Sequence, residues 1–122
     1  MDATHRLLLV EDDPLLRVTL AEVLTEAGFT VLEAEDAESA LGLVARHDDL
    51  DVLLTDINLP GADGFSLASA ARRLRPGLPV VYASGRLSEP DPRRALPGAP
   101  FLAKPFSVSS AIATLQGAMA RP

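Results

Sequence analysis

Acidic residues stand directly after two of the apolar segments of this sequence. The segment RLLLV is followed by Glu11 and Asp12, and the segment DVLLT is followed by Asp56. A buried carboxylate is costly unless a cation or hydrogen-bond donors compensate it, and carboxylates that lie close together disfavour joint ionisation. A hard divalent cation such as Mg²⁺ takes oxygen ligands and relieves that repulsion. A metal site is therefore one chemistry that these residues favour.

A lysine and a serine follow two further apolar segments. The sequence has 11 Lys and Arg residues, and Lys104, after the segment APFLA, is its only lysine. A lysine ammonium is a compact charge on a flexible stem, whereas an arginine guanidinium is a planar fork. The choice of lysine indicates a position that needs a mobile point charge. Ser84 ends the segment PVVYAS with a hydroxyl, and Gly85, which has no side chain, follows it.

The composition narrows the class of protein. A chain of 122 residues, 48% of them hydrophobic, fits one domain with one core. The absence of cysteine excludes disulfides, thiolate metal sites and cysteine nucleophiles. The net charge of −6 argues against a nucleic-acid surface, which needs clustered cations. No apolar run approaches the roughly 20 residues of a membrane span, and no signal sequence opens the chain. We expect a cytoplasmic protein without a nucleic-acid or membrane partner.

Apolar segments alternate with stretches of helical periodicity. Pro14 is placed to open the first helix and Gly28 to end it, while Asp36 and Ser107 are placed to cap later helices. Short connections between alternating strands and helices are typical of βαβ units, so we predict an α/β fold with a parallel sheet and helices on both faces. The predicted strands lie within residues 6–10, 29–34, 51–55, 79–84 and 99–103.

The segment between the fourth and fifth predicted strands departs from this pattern. Residues 86–99 are expected to hold a helix, but they contain Pro90, Pro92 and Pro97. Proline removes a helical hydrogen bond and clashes with the preceding turn. We therefore expect a short, 3₁₀-like or irregular element here, with residues 91–96 as its best remnant.

The polar residues that follow the strands are predicted to meet. Ligands of open α/β sheets bind beyond the carboxyl ends of the strands. Each residue also has a local alternative role. Asp12 or Asp13 could cap a helix, and Asp56 could form a turn. Ser84 could bond to the backbone, and Lys104 could be solvated. Because four elements converge on one edge of the sheet, a shared site is the better interpretation.

These motifs resemble the receiver domains of bacterial two-component response regulators, over essentially the whole chain. The resemblance implies one receiver domain at residues 1–122. It also implies a flavodoxin-like, doubly wound parallel sheet of five strands in the order 2-1-3-4-5, with helices on both faces and a fourth helix that is short or irregular. The motifs that carry it are LLLVEDDPLLR (7–17), LLTDINLPGADG (53–64), VVYASGR (80–86) and FLAKPF (101–106).

The resemblance assigns roles to the residues of the site. Asp56 matches the phosphoacceptor, and Lys104 and Ser84 match its catalytic neighbours. Asp13 falls at a variable position. The implied cofactor is Mg²⁺, with Mn²⁺ as an alternative. Its implied ligands are Glu11 through a water, Asp12, Asp56 and the main-chain carbonyl of Asn58.

The resemblance also implies a switch. Ser84 would move toward the phosphoryl group, and Phe101, where the family often has tyrosine, would then turn inward. A protein target would read the changed face of strands 4 and 5. Asn58, Gly85 and Arg86 would control access of water to the phosphoryl group. Lys104 is expected to precede a cis peptide bond.

The implied function is a phosphorylatable signalling switch. Asp56 would receive the phosphoryl group from a phosphohistidine on a histidine kinase or a histidine phosphotransfer protein, and the domain would catalyse only its own phosphorylation and dephosphorylation. We expect a stand-alone regulator that acts by protein contact; whether it is a diffusible regulator, a relay or a phosphate sink stays open. Two alternatives remain. One is an interaction module that is never phosphorylated. The other is an aspartyl phosphatase, although such enzymes carry the nucleophile after the first strand.

Overall fold

The computed structural model describes residues 4–85 and 93–120. Within these residues the chain forms five strands and four helices, and strand and helix alternate as far as the fourth strand. In chain order the elements are β1 (Arg6–Val10), α1 (Pro14–Glu26), β2 (Thr30–Ala34), α2 (Ala37–Arg46), β3 (Val52–Asp56), α3 (Gly64–Leu74), β4 (Val80–Ser84), β5 (Phe101–Ala103) and α4 (Val108–Met119).

The strands form one parallel sheet in the order β2-β1-β3-β4-β5, which confirms the predicted topology. β1 and β3 are neighbours, and Val10 pairs with Thr55 in their register. The next residues along the two strands are Glu11 and Asp56. The strand order therefore brings the acidic residues of two separate motifs to the same edge of the sheet.

The apolar strands are buried on both faces. In β1 the side chains of Leu7 and Leu9 pack with α1 and α4, whereas those of Leu8 and Val10 pack with α2 and α3. Successive strand residues point to opposite faces, so a strand covered on both faces reads as a continuous apolar run. This explains why the central segments show no alternation with polar residues.

The helix boundaries follow the local signals of the sequence. Pro14 begins α1, and the side chain of Asp13 caps it by accepting from the N–H groups of Leu15 and Leu16. Asp36 and Ser107 cap α2 and α4 in the same manner. The bonds from Leu15 and Leu16 confirm the capping role that the sequence allowed for Asp13. Gly28 follows α1 with a φ of 109°, a conformation that glycine adopts without a Cβ penalty.

The stretch before β5 holds turns and no helix at residues 93–100. The predicted remnant at 91–96 is therefore irregular in its described part, while residues 86–92, Arg86 among them, lie outside the described residues. Leu96 is held by its N–H, which donates to the Tyr82 hydroxyl at 3.1 Å. Within residues 4–85 and 93–120, no helix has the length and apolar character needed to cross a membrane.

Candidate functional site

The acidic residues predicted to form a metal site do meet at the carboxyl ends of β1 and β3. Glu11, Asp12 and Asp56 each offer a carboxylate oxygen within 4.8 Å of the others; we call these three residues the acidic cluster. Glu11 and Asp56 are buried, with 3% and 7% of their surfaces exposed, while Asp12 is exposed. The cluster thus opens to solvent on the Asp12 side.

Lys104 provides the positive charge beside the acidic cluster. Its Nζ donates to Oε1 of Glu11 in a close contact and to Oδ2 of Asp56 at 3.3 Å. The main-chain N–H of Lys104 donates to the Ser84 carbonyl at 2.8 Å, which fixes the lysine at the end of β4. The ammonium thus contacts Asp56 and is shared with Glu11, a contact that the sequence did not predict.

Burial and charge shift the pKa values of Glu11 and Lys104 in opposite directions. Burial raises the pKa of the Glu11 carboxyl, and the hydrogen bond from Lys104 only partly opposes that effect. Burial alone would lower the pKa of Lys104, but the Glu11 and Asp56 carboxylates outweigh it and raise that pKa above its ordinary value. The ammonium therefore stays charged at neutral pH.

A glycine sets the position of Asp56 at the tip of β3. Gly64 lies so close to the strand end that a Cβ on it would come within 2.3 Å of the Asp56 carbonyl oxygen. Its N–H donates to the Ile57 carbonyl at 2.9 Å, and the Asn58 N–H donates to Oδ1 of Asp56 at 3.2 Å. The first residue of α3 therefore has to lack a side chain for the β3–α3 loop to fold back over Asp56.

The other predicted residues lie around the acidic cluster at different depths. Ser84 is buried at the end of β4, and Gly85 is exposed beside the aliphatic stem of Lys104. Asn58 is exposed two residues beyond Asp56. Phe101 does not lie at this edge: it begins β5, opposite Tyr82, and packs half-buried against the core under α2 and α3. The peptide bond between Lys104 and Pro105 is cis, as predicted.

Two arginines near the site were not found by sequence reasoning. Arg17 donates from Nη1 to the main-chain carbonyl of Glu11 at 2.8 Å. Arg94 donates from its two Nη atoms to Asp63, the N-cap of α3, at 2.6 and 3.0 Å. Both contacts join residues from separate elements, so neither has a local signal. The cap itself had one, since Asp63 stands directly before the apolar periodicity of α3.

The donor set of the acidic cluster fits a small hard divalent cation. Mg²⁺ takes oxygen ligands and binds in proteins through one or two carboxylates, retaining several waters. Glu11, Asp12 and Asp56 supply such oxygens, and the exposure of Asp12 leaves room for waters. One ammonium, that of Lys104, faces the three carboxylates of the cluster.

The chain belongs to the response regulator receiver domain family, whose model matches residues 7–116. Receiver domains are the phosphorylation-controlled switches of two-component signalling and are not enzymes of the ordinary kind. They bind Mg²⁺ at an acidic pocket and interact with histidine kinases and with downstream effectors. The sheet order and the acidic cluster agree with this assignment.

Similar proteins extend the comparison. A receiver protein from Sinorhizobium medicae superposes with a TM-score of 0.88 at 27% identity, covering 95% of this chain and 94% of that one. The non-phosphorylated HemR receiver domain from Leptospira biflexa gives a TM-score of 0.84 at 30% identity, covering 98% of each chain. The transcriptional regulatory protein PdtaR of Mycobacterium tuberculosis is 34% identical over 96% of this chain. The chain spans 58% of PdtaR and 37–44% of the first four curated relatives.

Proposed function

We propose that Asp56 is the phosphoacceptor of this receiver domain. The observation that carries the proposal is the environment of its carboxylate, which is buried at the tip of β3, contacts the Lys104 ammonium and lies within 4.8 Å of Glu11 and Asp12. A carboxylate is a weak nucleophile, so positioning and charge neutralisation must supply the catalysis. The acidic cluster and Lys104 provide both.

The proposed transfer uses a phosphohistidine as donor. A carboxylate oxygen of Asp56 attacks phosphorus, the phosphorus–nitrogen bond breaks, and its electron pair leaves with the imidazole. Lys104 already donates to Asp56 at 3.3 Å, and its flexible stem allows the ammonium to follow charge onto a phosphoryl oxygen. Ser84, at the end of the neighbouring strand, would donate its hydroxyl to another phosphoryl oxygen.

The residues proposed to hold Mg²⁺ are Asp12, Asp56 and the Asn58 carbonyl, with Glu11 acting through a water. When bound, the ion supplies positive charge that neutralises the phosphoryl oxygens in the transition state. Mn²⁺ offers the same charge and accepts the same oxygen ligands. Within the chain, the Lys104 ammonium offsets the repulsion between the Glu11 and Asp56 carboxylates by donating to both.

We propose that phosphorylation is communicated along β4 and β5. Movement of Ser84 toward the phosphoryl group would open space for Phe101, which is only half-buried at the start of β5. A protein target would then recognise the β4–β5 face. Such a change is a shift between two existing states, so phosphorylation biases an equilibrium.

The lifetime of the acyl phosphate is proposed to depend on three positions. Gly85 has no side chain to cover the phosphoryl group, and Asn58 is exposed two residues beyond Asp56. Arg86, outside the described residues, completes this set in the sequence.

We also propose that residues 1–122 form one receiver domain that works in the cytoplasm through protein partners. It would catalyse only its own phosphorylation and dephosphorylation.

Acetyl phosphate with Mg²⁺ tests the assignment of Asp56. Intact-mass spectrometry of the wild-type protein should show the addition of one phosphoryl group, and Asp56→Asn should abolish it. Asp48→Asn is the matched control, because Asp48 is an exposed acid in the loop after α2, and this variant should be phosphorylated normally. Persistent phosphorylation of Asp56→Asn would disprove the assignment. No mass increase in the wild type with any donor would favour the phosphorylation-independent interaction module.

A further inference from the structure

Arg17 reaches from the first turns of α1 back to the loop that carries Glu11. Its side chain is largely buried, with 17% exposed. Nη1 donates to the main-chain carbonyl of Glu11 at 2.8 Å, and Nε lies 3.4 Å from the Glu33 carboxylate on β2. A planar guanidinium presents its donors in a fixed fork, whereas the donors of a lysine ammonium rotate. Arg17 therefore joins α1, β2 and the β1–α1 loop.

The contact fixes one specific peptide unit. The N–H of Glu11 donates to the Ala34 carbonyl at the end of β2, at 3.1 Å, so that side of Glu11 is held by the sheet. Its carbonyl, which leads into Asp12, is held by Arg17. The orientation of the peptide between Glu11 and Asp12 sets where both carboxylates project. Holding this carbonyl therefore contributes to the geometry of two members of the acidic cluster, together with the Asp13 N–H, which donates to Oε2 of Glu11 at 3.1 Å.

The positive charge of Arg17 does not by itself help the acidic cluster to bind a cation. A guanidinium near a cation site repels the incoming cation, and the repulsion grows as the surroundings become less polar. Glu33 offsets part of that charge from the far side. The positive charge of Arg17 opposes the binding of a cation. Any support that Arg17 gives to cation binding therefore has to be geometric.

We propose that Arg17 is a positioning residue for the cation site, holding the Glu11–Asp12 peptide so that both carboxylates face Asp56. This inference rests on the proposed function, since it assumes that the acidic cluster binds a divalent cation. It adds a residue that touches neither the cation nor the phosphoryl group. Groups that orient metal ligands typically change metal affinity by roughly 10–100-fold when they are removed.

Isothermal titration calorimetry with Mn²⁺ on the full chain tests this role. Arg17→Met keeps the length and the packing of the aliphatic stem and removes the donors. We expect its Mn²⁺ affinity to fall by roughly tenfold. Arg73→Met is the matched control, because it removes the same charge from an exposed position in the last turn of α3, and its affinity should equal that of the wild type. Circular dichroism verifies that each variant is folded under the titration conditions.

The direction of the change separates positioning from other roles. Loss of a repelling charge would make Arg17→Met bind Mn²⁺ more tightly, and a purely structural role would lower the melting temperature with an unchanged dissociation constant. Either result overturns the proposal. Arg17→Gln, which keeps a polar side chain, replaces Arg17→Met if the latter does not fold, and the same weakening is expected. A wild-type protein that binds no Mn²⁺ would instead refute the cation site itself, and this inference with it.

Discussion

The β3–α3 loop has a carboxylate at each end, and the two are treated differently. Asp63, at the start of α3, accepts from the Ser66 N–H at 2.9 Å and from both Nη atoms of Arg94. Asp56, at the end of β3, shares the Lys104 ammonium with Glu11. Asp63 is bonded by its own helix and by an arginine that also donates to the Ser66 hydroxyl at 3.2 Å. Asp56 belongs to a cluster in which the carboxylates outnumber their neighbouring ammonium.

The pKa values of Asp63 and Glu11 are shifted in opposite directions. Partial burial tends to raise the pKa of Asp63, but the Ser66 N–H and Arg94 outweigh it, so the pKa is lowered. Burial raises the pKa of Glu11, and Lys104 does not fully compensate. Asp63 has its donors in place at the start of α3, whereas the acidic cluster has three carboxylates and one neighbouring ammonium. This excess of carboxylates supports the proposed cation site, while the contacts of Asp63 are those of a helix cap.

The largest effect is expected from Lys104→Met. Removing the ammonium leaves Glu11 and Asp56 buried without their cation, and breaking a buried ion pair from one side costs about 3 kcal/mol or more. We expect the free energy of unfolding at pH 7 to fall by about this amount. Urea denaturation in the presence of EDTA measures it without interference from divalent ions.

The loss in free energy of unfolding caused by Lys104→Met, here called the deficit, should depend on pH in a defined direction. A carboxyl group whose folded-state pKa is raised stabilises the fold at low pH, and this contribution is lost as the pH rises through the raised pKa. Without Lys104 the pKa of Glu11 should rise further, so the deficit should be smaller at pH 5 than at pH 7. An equal deficit at both pH values would show that lost packing of the lysine stem, and not charge, explains the effect.

A smaller effect of opposite pH dependence is expected from Asp63→Ala. Loss of a helix N-cap costs about 1 kcal/mol. Because the folded-state pKa of Asp63 is lowered, its contribution is present above the ordinary pKa and is lost as the pH falls through the lowered value. The deficit should therefore be constant from pH 7 to pH 5 and shrink only in more acidic solution. Urea denaturation across this range gives the measurement.

Asp63→Asn serves as the control for the cap. Asparagine also caps helices well, so this variant retains the bond from Ser66 and loses only the charge facing Arg94. It should be destabilised less than Asp63→Ala. If the two variants lose the same stability, the ion pair with Arg94 is the main contribution and the cap is minor.

The parts of the molecule set by local signals were predictable from the sequence. The caps at Asp36 and Ser107 and the Pro14 start of α1 depend on residues within one turn of each other. The meeting of Glu11 with Asp56 was predictable as well, because a parallel sheet places the ends of its strands at one edge. Pattern and topology together were sufficient for these features.

The contacts that were missed depend on side-chain reach across the fold. Arg17 and Glu33 lie on different elements, and so do Arg94 and Asp63. No residue spacing in the sequence predicts such pairs. The need for Gly64 arises from its distance to the Asp56 carbonyl, which exists only after the loop has closed. Sequence reasoning could identify the groups of the site but not the residues that hold them in place.

The smallest effect is expected at the opposite edge of the sheet, between Arg6 and Asp49. Their Nε and Oδ2 atoms are 2.6 Å apart, but the two side chains are 40% and 52% exposed. Exposed pairs contribute roughly 0–1 kcal/mol and are screened by salt. A double-mutant cycle with Arg6→Ala and Asp49→Ala should give a coupling energy within that range, and it should decrease in concentrated NaCl. A coupling as large as the loss in Lys104→Met would mean that distance, and not burial, decides the strength of these pairs, and the contrast between the acidic cluster and the other acids of the chain would then disappear.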